Sequence, residues 1–281
     1  MPLATTAQLV RRAQDDRRGI AAFNVITLEH AEGIVRGAEL AGVPAILQIS
    51  ENAVKFHGGR LAPIAAAARA VAESAAVDVS VHLDHVEDVE LLHRGGVDGL
   101  SSAMFDASHL DYDDNVAATR AAAEWAHDNA IFLEAELGKV GGKDGAHAPG
   151  VRTDPEEARQ FVAGTGVDAL AVAVGSSHAM TDRTAVLDLD RIRRLRHAVP
   201  VPLVLHGSSG VPDDHLRAAV RAGVVKVNIG TILNVAFTGA VRTTLDEGEH
   251  VVDPRTYLAP ARDALAAVAA RLAAVVGGAD T

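Results

Sequence analysis

The chain contains no cysteine. Disulfides, thiolate zinc sites, iron–sulfur clusters and thiol nucleophiles are therefore excluded, and any transition metal must rest on histidine, aspartate and glutamate. Positive charge is also scarce. Lys and Arg number 26 against 37 Asp and Glu, for a formal net charge of -11, and lysine occurs only at positions 55, 139, 143 and 226. Nucleic acids and anionic membranes both select a basic footprint, so neither is expected as a partner. Any anion must instead be caught by local geometry. No uncharged apolar run reaches transmembrane length, and the opening MPLATTAQLVRRAQDDRRG lacks an apolar core of signal-peptide type. The expected compartment is the cytoplasm. Low-complexity linkers and sequence repeats are missing too, and no Gly-rich dinucleotide fingerprint follows the first apolar run.

What remains is a chain of 281 residues, 48% of them hydrophobic, long enough to bury a barrel-sized core. Short apolar runs bounded by turns occur at 20–25, 44–50, 79–85, 99–106, 131–138, 169–175, 201–207 and 224–230. Between them lie Ala-rich segments with helical spacing, among them LEHAEGIVRGAELAG, APIAAAARAVAESA, DDNVAATRAAAEWAHDNA, DPEEARQFVAGTG and PDDHLRAAVRAG. Several end in the Gly that commonly follows a helix. Eight alternating units without a break in composition predict an α/β fold, a closed (β/α)8 TIM barrel spanning 1–281 as one domain. Additional helices are expected near 5–17 and 254–276, and an open doubly wound sheet is the alternative architecture.

In such a barrel the carboxyl ends of the strands form the active face. The polar residues at the ends of the runs are Asn24, Ser50, Asp84 with His85, Asp106, Glu136, His178 just past the sixth run, His206 and Asn228. Each alone could mark nothing more than the return of polarity after a strand. Together they suggest a site. His85, His178 and His206 come from runs three, six and seven, and three imidazoles with one open position are common surroundings of a catalytic zinc ion. A lone histidine is more often a hydrogen-bonded core or surface residue, which is the reading for His57, His93, His109, His127, His147 and His215. His82, two residues before Asp84 and on the same side of the strand, is expected to pack or support rather than ligate.

Two further elements fit an anionic substrate. LHGSSG after the seventh run supplies Gly207, Ser208 and Ser209, and VNIGT after the eighth supplies Asn228, Ile229, Gly230 and Thr231 ahead of a helix. Small residues let backbone N–H groups approach phosphate, and a helix N-terminus adds its positive end. Between 136 and 155, ELGKVGGKDGAHAPGVRTDP is rich in glycine and reads as a lid carrying Lys143, Asp144 and His147. An ordinary loop would look similar.

With these residues in view, the chain resembles the class II, metal-dependent ketose-bisphosphate aldolases that act on fructose and tagatose bisphosphates. The resemblance runs nearly end to end through AFNV, HLDH, DASH, EAELGKVGG, LAVAVGSSH, LVLHGSSG, KVNIGT and DPRTYL. It implies a TIM barrel, zinc on His85, His178 and His206, Asp84 as the proton-transfer residue at the substrate hydroxyl, and carboxylates at Asp106 and Glu136 near a second metal position. It also implies dihydroxyacetone phosphate held by Asn24, Ser50, Gly207 to Ser209 and Asn228 to Thr231, with a monovalent cation (Na+ or K+) nearby. Arg255 of the DPR motif would reach a neighbouring subunit's substrate, so a homodimer or homotetramer is expected. The chain departs from the family pattern at Asp144, which stands where a loop Glu handles the carbon-bound proton, and at Ala179, where a Gly commonly contacts phosphate. Three alternatives stay open: another dihydroxyacetone phosphate adduct such as a phosphorylated deoxy-keto acid, a Schiff-base mechanism on Lys226, or a non-catalytic sugar-phosphate binding protein.

Overall fold

The structure is a computed structural model that describes residues 3–137, 152–176, 182–248 and 250–278. In chain order its elements begin with α1 (Thr6–Asp15), β1 (Ile20–Asn24), α2 (Leu28–Ala41), β2 (Ala45–Ser50), α3 (Glu51–Phe56) and α4 (Leu61–Ser74). There follow β3 (Val79–Val86), α5 (Val89–Val97), β4 (Ser102–Phe105), α6 (Tyr112–Asp128), β5 (Phe132–Glu136) and α7 (Pro155–Thr165). The chain continues through β6 (Ala169–Ala171), α8 (Leu189–Ala198), β7 (Leu203–Leu205), α9 (Asp213–Ala222), β8 (Val224–Ile229), α10 (Thr231–Glu247) and α11 (Pro254–Gly277). The eight strands are parallel and close into a barrel in sequence order, with β1 pairing both β2 and β8. This is the (β/α)8 architecture that the alternation predicts, and the two terminal helices stand where expected.

Local chemistry accounts for the element ends. α1 opens with a reciprocal capping box between Thr5 and Gln8. Gly42 and Gly166 end α2 and α7 in the left-handed conformation that glycine adopts without a Cβ penalty. The strands at the fourth, sixth and seventh positions are shorter than their apolar runs. Their last residues leave the ladder for loop partners, as where Ala173 N–H donates to Thr153 Oγ1 at 2.8 Å and Thr153 N–H to the Ala173 carbonyl at 2.9 Å.

Three apolar layers form. The large one lies between strands and helices and includes Phe23, Leu47, Leu83, Leu133, Phe161 and Leu205. Inside the barrel, Leu9 and Val10 of α1 pack on Ile20, Ala22 and Ile46 and close the floor. A second interior cluster joins Met104, Ala169, Ala171 and Val204. The rest of the interior is polar: Gln48, Ser80, His82, Ser102, Glu134 and Lys226 are all fully buried. His82 is part of the floor. Its Nδ1 meets Ser102 Oγ at 2.8 Å, and the chain continues from Ser102 to Thr6 at 2.6 Å and from Thr6 to Ser80 at 3.0 Å. It therefore anchors α1, in line with a supporting rather than a ligating role.

α11 closes the outside of the barrel against α2, and the contact depends on glycine. A Cβ on Gly37 would lie 2.7 Å from the Ala266 carbonyl oxygen and 2.8 Å from the Ala270 nitrogen, backbone atoms that cannot rotate away. Gly37→Ala is expected to lose up to about 2 kcal/mol of stability, the difference between an overpacking cost of about 1–3 kcal/mol and the ~1 kcal/mol gain in helix propensity. Urea unfolding of the two proteins measures this; a more stable alanine variant would contradict the close packing.

Candidate active site

The polar strand ends converge on a cleft of about 480 Å3 at the carboxyl face of the barrel. Its lining includes Asn24, Ser50, Asp84, His85, Asp106, His206, Gly207, Ser208, Ser209, Asn228, Gly230 and Thr231.

Asp84 and His85 are adjacent in sequence, and in a regular strand they would face opposite sides of the sheet. The β3–β4 register shows how both reach the cleft. Leu83 pairs with Ala103 but Val86 pairs with Phe105, so three steps on β3 oppose two on β4. His85 occupies the extra position with φ 48°, a left-handed conformation that is uncommon for a residue with a Cβ. Such strain persists only where surrounding contacts over-determine it, and it gathers at functional sites.

Those contacts are hydrogen bonds on both sides of the imidazole pair. His85 Nδ1 lies 2.8 Å from Asp106 Oδ2, and His206 Nε2 lies 2.8 Å from Glu134 Oε1. An ionised carboxylate only accepts, so each of these nitrogens carries the ring hydrogen. The remaining nitrogens, His85 Nε2 and His206 Nδ1, face each other at 3.0 Å, and with His206 Nδ1 an acceptor the contact is a hydrogen bond when His85 Nε2 carries a proton. The pair therefore holds a proton, or a cation in its place, between the two rings. Burial works against charge on His85, but Asp84, the Asp106 hydrogen bond and Glu136 outweigh it and push its pKa up to about 10. For Asp106, too, burial is outweighed, here by hydrogen bonds from His85 and Ser108 that hold its carboxyl well below the usual range. The site is thus built to attract positive charge, and the donor set of imidazole nitrogens with nearby carboxylates suits a metal ion. Among the described residues, potential ligand atoms lie within 4.8 Å of one another in two overlapping groups, Asp84 with His85 and His206, and His85 with Asp106 and Glu136.

Asp84 is held between two amides. Asn24 Nδ2 approaches its Oδ2 at 3.4 Å and Asn228 Nδ2 its Oδ1 at 3.3 Å, while Gln48 Nε2 holds Asn24 Oδ1 at 2.9 Å. Asn228 Nδ2 also sits 3.0 Å and 3.4 Å from the two His206 nitrogens, so this amide packs across the imidazole.

A Gly–Ser turn lies beside this pair. Gly207 adopts φ 64°, and a single 3₁₀ turn, Ser208–Gly210, follows. Ser208 Oγ donates to the Asn228 carbonyl at 2.5 Å and Ser209 Oγ accepts from Ile232 N–H at 3.2 Å. These bonds tie the ends of β7 and β8 together at the N-terminus of α10. Ile229 points its side chain into the outer core, so only its backbone is available to the cleft. Ser50 caps α3 through Ala53 N–H at 3.2 Å while lining the cleft.

His178, Ala179 and Asp144 lie outside the described residues. Arg255 does not line this cleft; at the start of α11 it is 89% exposed and pairs with Asp253 at 2.6 Å. Lys226 is fully buried below the cleft and bound to Glu134 at 2.8 Å, so it does not present a free amine to a substrate. Sequence reasoning passed over Gln48 and Glu134. The available signal was spacing: Glu134 precedes Glu136 by two residues and Gln48 precedes Ser50 by two, which places each pair on one face of its strand.

A parallel barrel with an imidazole pair, a carboxylate held between two amides and a Gly–Ser turn gathered at its carboxyl face is the arrangement of an enzyme. The chain belongs to the class II fructose-bisphosphate aldolase family, whose model matches residues 4–281. It is an aldolase, a carbon–carbon lyase. It is 36% identical to a fructose-bisphosphate aldolase from Thermus caldophilus over 94% of either chain. Among solved structures it resembles the YdjI aldolase from Escherichia coli K12, with TM-score 0.83 and 32% identity over 99% of this chain and 100% of that one. It is similarly close to a putative fructose-1,6-bisphosphate aldolase from Coccidioides immitis, with TM-score 0.83 and 28% identity over 97% of both.

Gly230 keeps the clamp on Asp84 in place. A Cβ there would lie 2.9 Å from Asn24 Oδ1. Gly230→Ala is expected to fold normally but to lower turnover by about 100-fold, the scale of a ~1 Å misplacement at a reacting group. Steady-state kinetics alongside a circular dichroism melt measures both; full activity would contradict the clamp.

Proposed function

We propose that this chain is a zinc-dependent aldolase that reversibly cleaves fructose 1,6-bisphosphate or tagatose 1,6-bisphosphate into dihydroxyacetone phosphate and glyceraldehyde 3-phosphate. The observation that carries this reading is the pair of imidazole nitrogens facing each other at 3.0 Å beside Asp84. His85 and His206, with His178, would hold the metal, and Asp106 and Glu136 stand beside it for a second metal position. When bound, zinc supplies a Lewis acid for the negative charge that develops on the ketone half of the substrate.

Cleavage breaks the bond between C3 and C4. The C4 hydroxyl must lose its proton to become the aldehyde, while C3 keeps the electron pair and later takes up a proton. Asp84 is the acceptor for the hydroxyl proton, oriented by the amides of Asn24 and Asn228, and returns it in condensation. Asp144 is the residue proposed to exchange the proton at C3. Gly207, Ser208, Ser209 and the segment Asn228 to Thr231, with Ala179, Asn24 and Ser50, would hold the phosphate half, with Na+ or K+ alongside. Support for the phosphate role is the junction of β7, β8 and the α10 N-terminus, where small residues leave backbone donors accessible.

An assembly of identical subunits, a homodimer or homotetramer, completes the reading. Of the residues of α10 only Leu233 is buried, and Val235 and Leu245 are exposed on it, close in sequence to the solvent-exposed Arg255. No described helix is long and apolar enough to cross a membrane, and the cytoplasm is the proposed compartment.

The test is cleavage of the two bisphosphates side by side in untreated, EDTA-treated and zinc-restored protein. Activity lost to EDTA and regained with zinc is expected, and activity indifferent to chelation would overturn the metal reading. Asp84→Ala should retain zinc and its melting curve yet lose about 10²–10⁴-fold in turnover. Substantial residual turnover would refute its role.

A further inference from the structure

The interior of the barrel holds a charged relay that runs downward from His206 at the cleft and does not follow from the need for an apolar core. Lys226 of β8, Glu134 of β5 and His206 just past β7 come from three separate parts of the wall and are at most 1% exposed. The two carboxylate oxygens of Glu134 are engaged in different directions, Oε1 by His206 Nε2 at 2.8 Å and Oε2 by Lys226 Nζ at 2.8 Å. Lys226 lies two residues before Asn228 on the inward face of β8, one layer below the cleft, and is absent from the cleft lining.

Replacing a buried ion pair by apolar groups of similar volume is often neutral or stabilising, so stability alone is a poor reason to find this pair here. Geometry offers a better one. A carboxylate fixed at one oxygen can still rotate about its last torsion, whereas one fixed at both cannot. With Glu134 pinned, the hydrogen of His206 stays on Nε2 and its Nδ1 lone pair stays aimed at His85 Nε2. His85 meets its carboxylate, Asp106, at the half-buried mouth; His206 lies deeper, and its partner is braced from beneath.

We propose that Lys226 is a positioning residue that acts through Glu134 to fix the metal-facing nitrogen of His206. The proposal rests on the reading of His206 as a metal ligand. It assigns Lys226 no contact with substrate and no covalent chemistry.

The test is a cycle of Lys226→Met, Glu134→Gln and the double variant, each assayed for zinc affinity by competition with a chromogenic chelator, for kcat and KM on fructose 1,6-bisphosphate, and for thermal unfolding. Lys226→Met is expected to bind zinc about 10–100-fold more weakly, the usual scale for loss of a group that orients a ligand. At saturating zinc its kcat should fall while KM stays within about twofold. In the Glu134→Gln background the same lysine substitution should cause no further loss of zinc affinity, since an amide has one acceptor oxygen and cannot accept from both His206 Nε2 and Lys226 Nζ, so the brace is already broken. A purely structural lysine would lower the melting temperature of Lys226→Met without moving zinc affinity, and that result would overturn the proposal. If Lys226→Met does not fold, the comparison of Glu134→Gln with the double variant decides: equal affinities support the relay, and a further loss in the double variant overturns it. Wild-type protein that binds no zinc would remove the metal reading itself, an outcome separable from failure of the relay.

Discussion

The active face depends on one constraint, that two imidazole nitrogens be held 3.0 Å apart among carboxylates, so that a proton or a cation is favoured between them. Without their outer partners the two rings would be free to turn and separate. Asp106 and Glu134 prevent separation by claiming the opposite nitrogen of each ring, and the bulge in β3 prevents it from the backbone side by forcing His85 into φ 48°. The backbone strain at His85 is locally unfavourable and is maintained by these contacts, a pattern that gathers at functional sites.

The barrel distributes this constraint over its layers. α1 seals the floor through Leu9 and Val10 and through the hydroxyl chain that ends on His82. Above it, Glu134 and Lys226 occupy a buried layer below the cleft, Lys226 bonded to Glu134 and Glu134 to His206, while Gln48 lines the cleft and holds Asn24. Asn24 and Asn228 then brace Asp84 from the first and last strands of the closed ring. Closure is what makes this possible: β1 and β8 are the most distant strands in the chain yet they pair, with Ala22 opposite Asn228. An open sheet would leave Asp84 with one amide rather than two.

The alternation of apolar runs and Ala-rich segments was enough to read the barrel, because period and turn chemistry are local properties. The strand-end rule likewise pointed to Asn24, Asp84, His85, Asp106, His206 and Asn228, all of which meet at the cleft. What the sequence hid depends on tertiary detail. Strict alternation would send His85 away from Asp84, and only the register shift opposite β4 reverses that. Glu134 and Lys226 look from sequence like a strand's odd polar residues, and only closure brings β5 and β8 side chains together. Arg255 is legible as a motif, but within one subunit it meets Asp253 rather than the cleft.

The most direct test of the account is a crystal structure of zinc-loaded protein with anomalous data collected on both sides of the zinc edge. An anomalous peak bonded to His85 Nε2 and His206 Nδ1 is expected, with Asp106 and Glu134 still on the opposite nitrogens. Zinc bound elsewhere, or held by His85 Nδ1 or His206 Nε2, would contradict it.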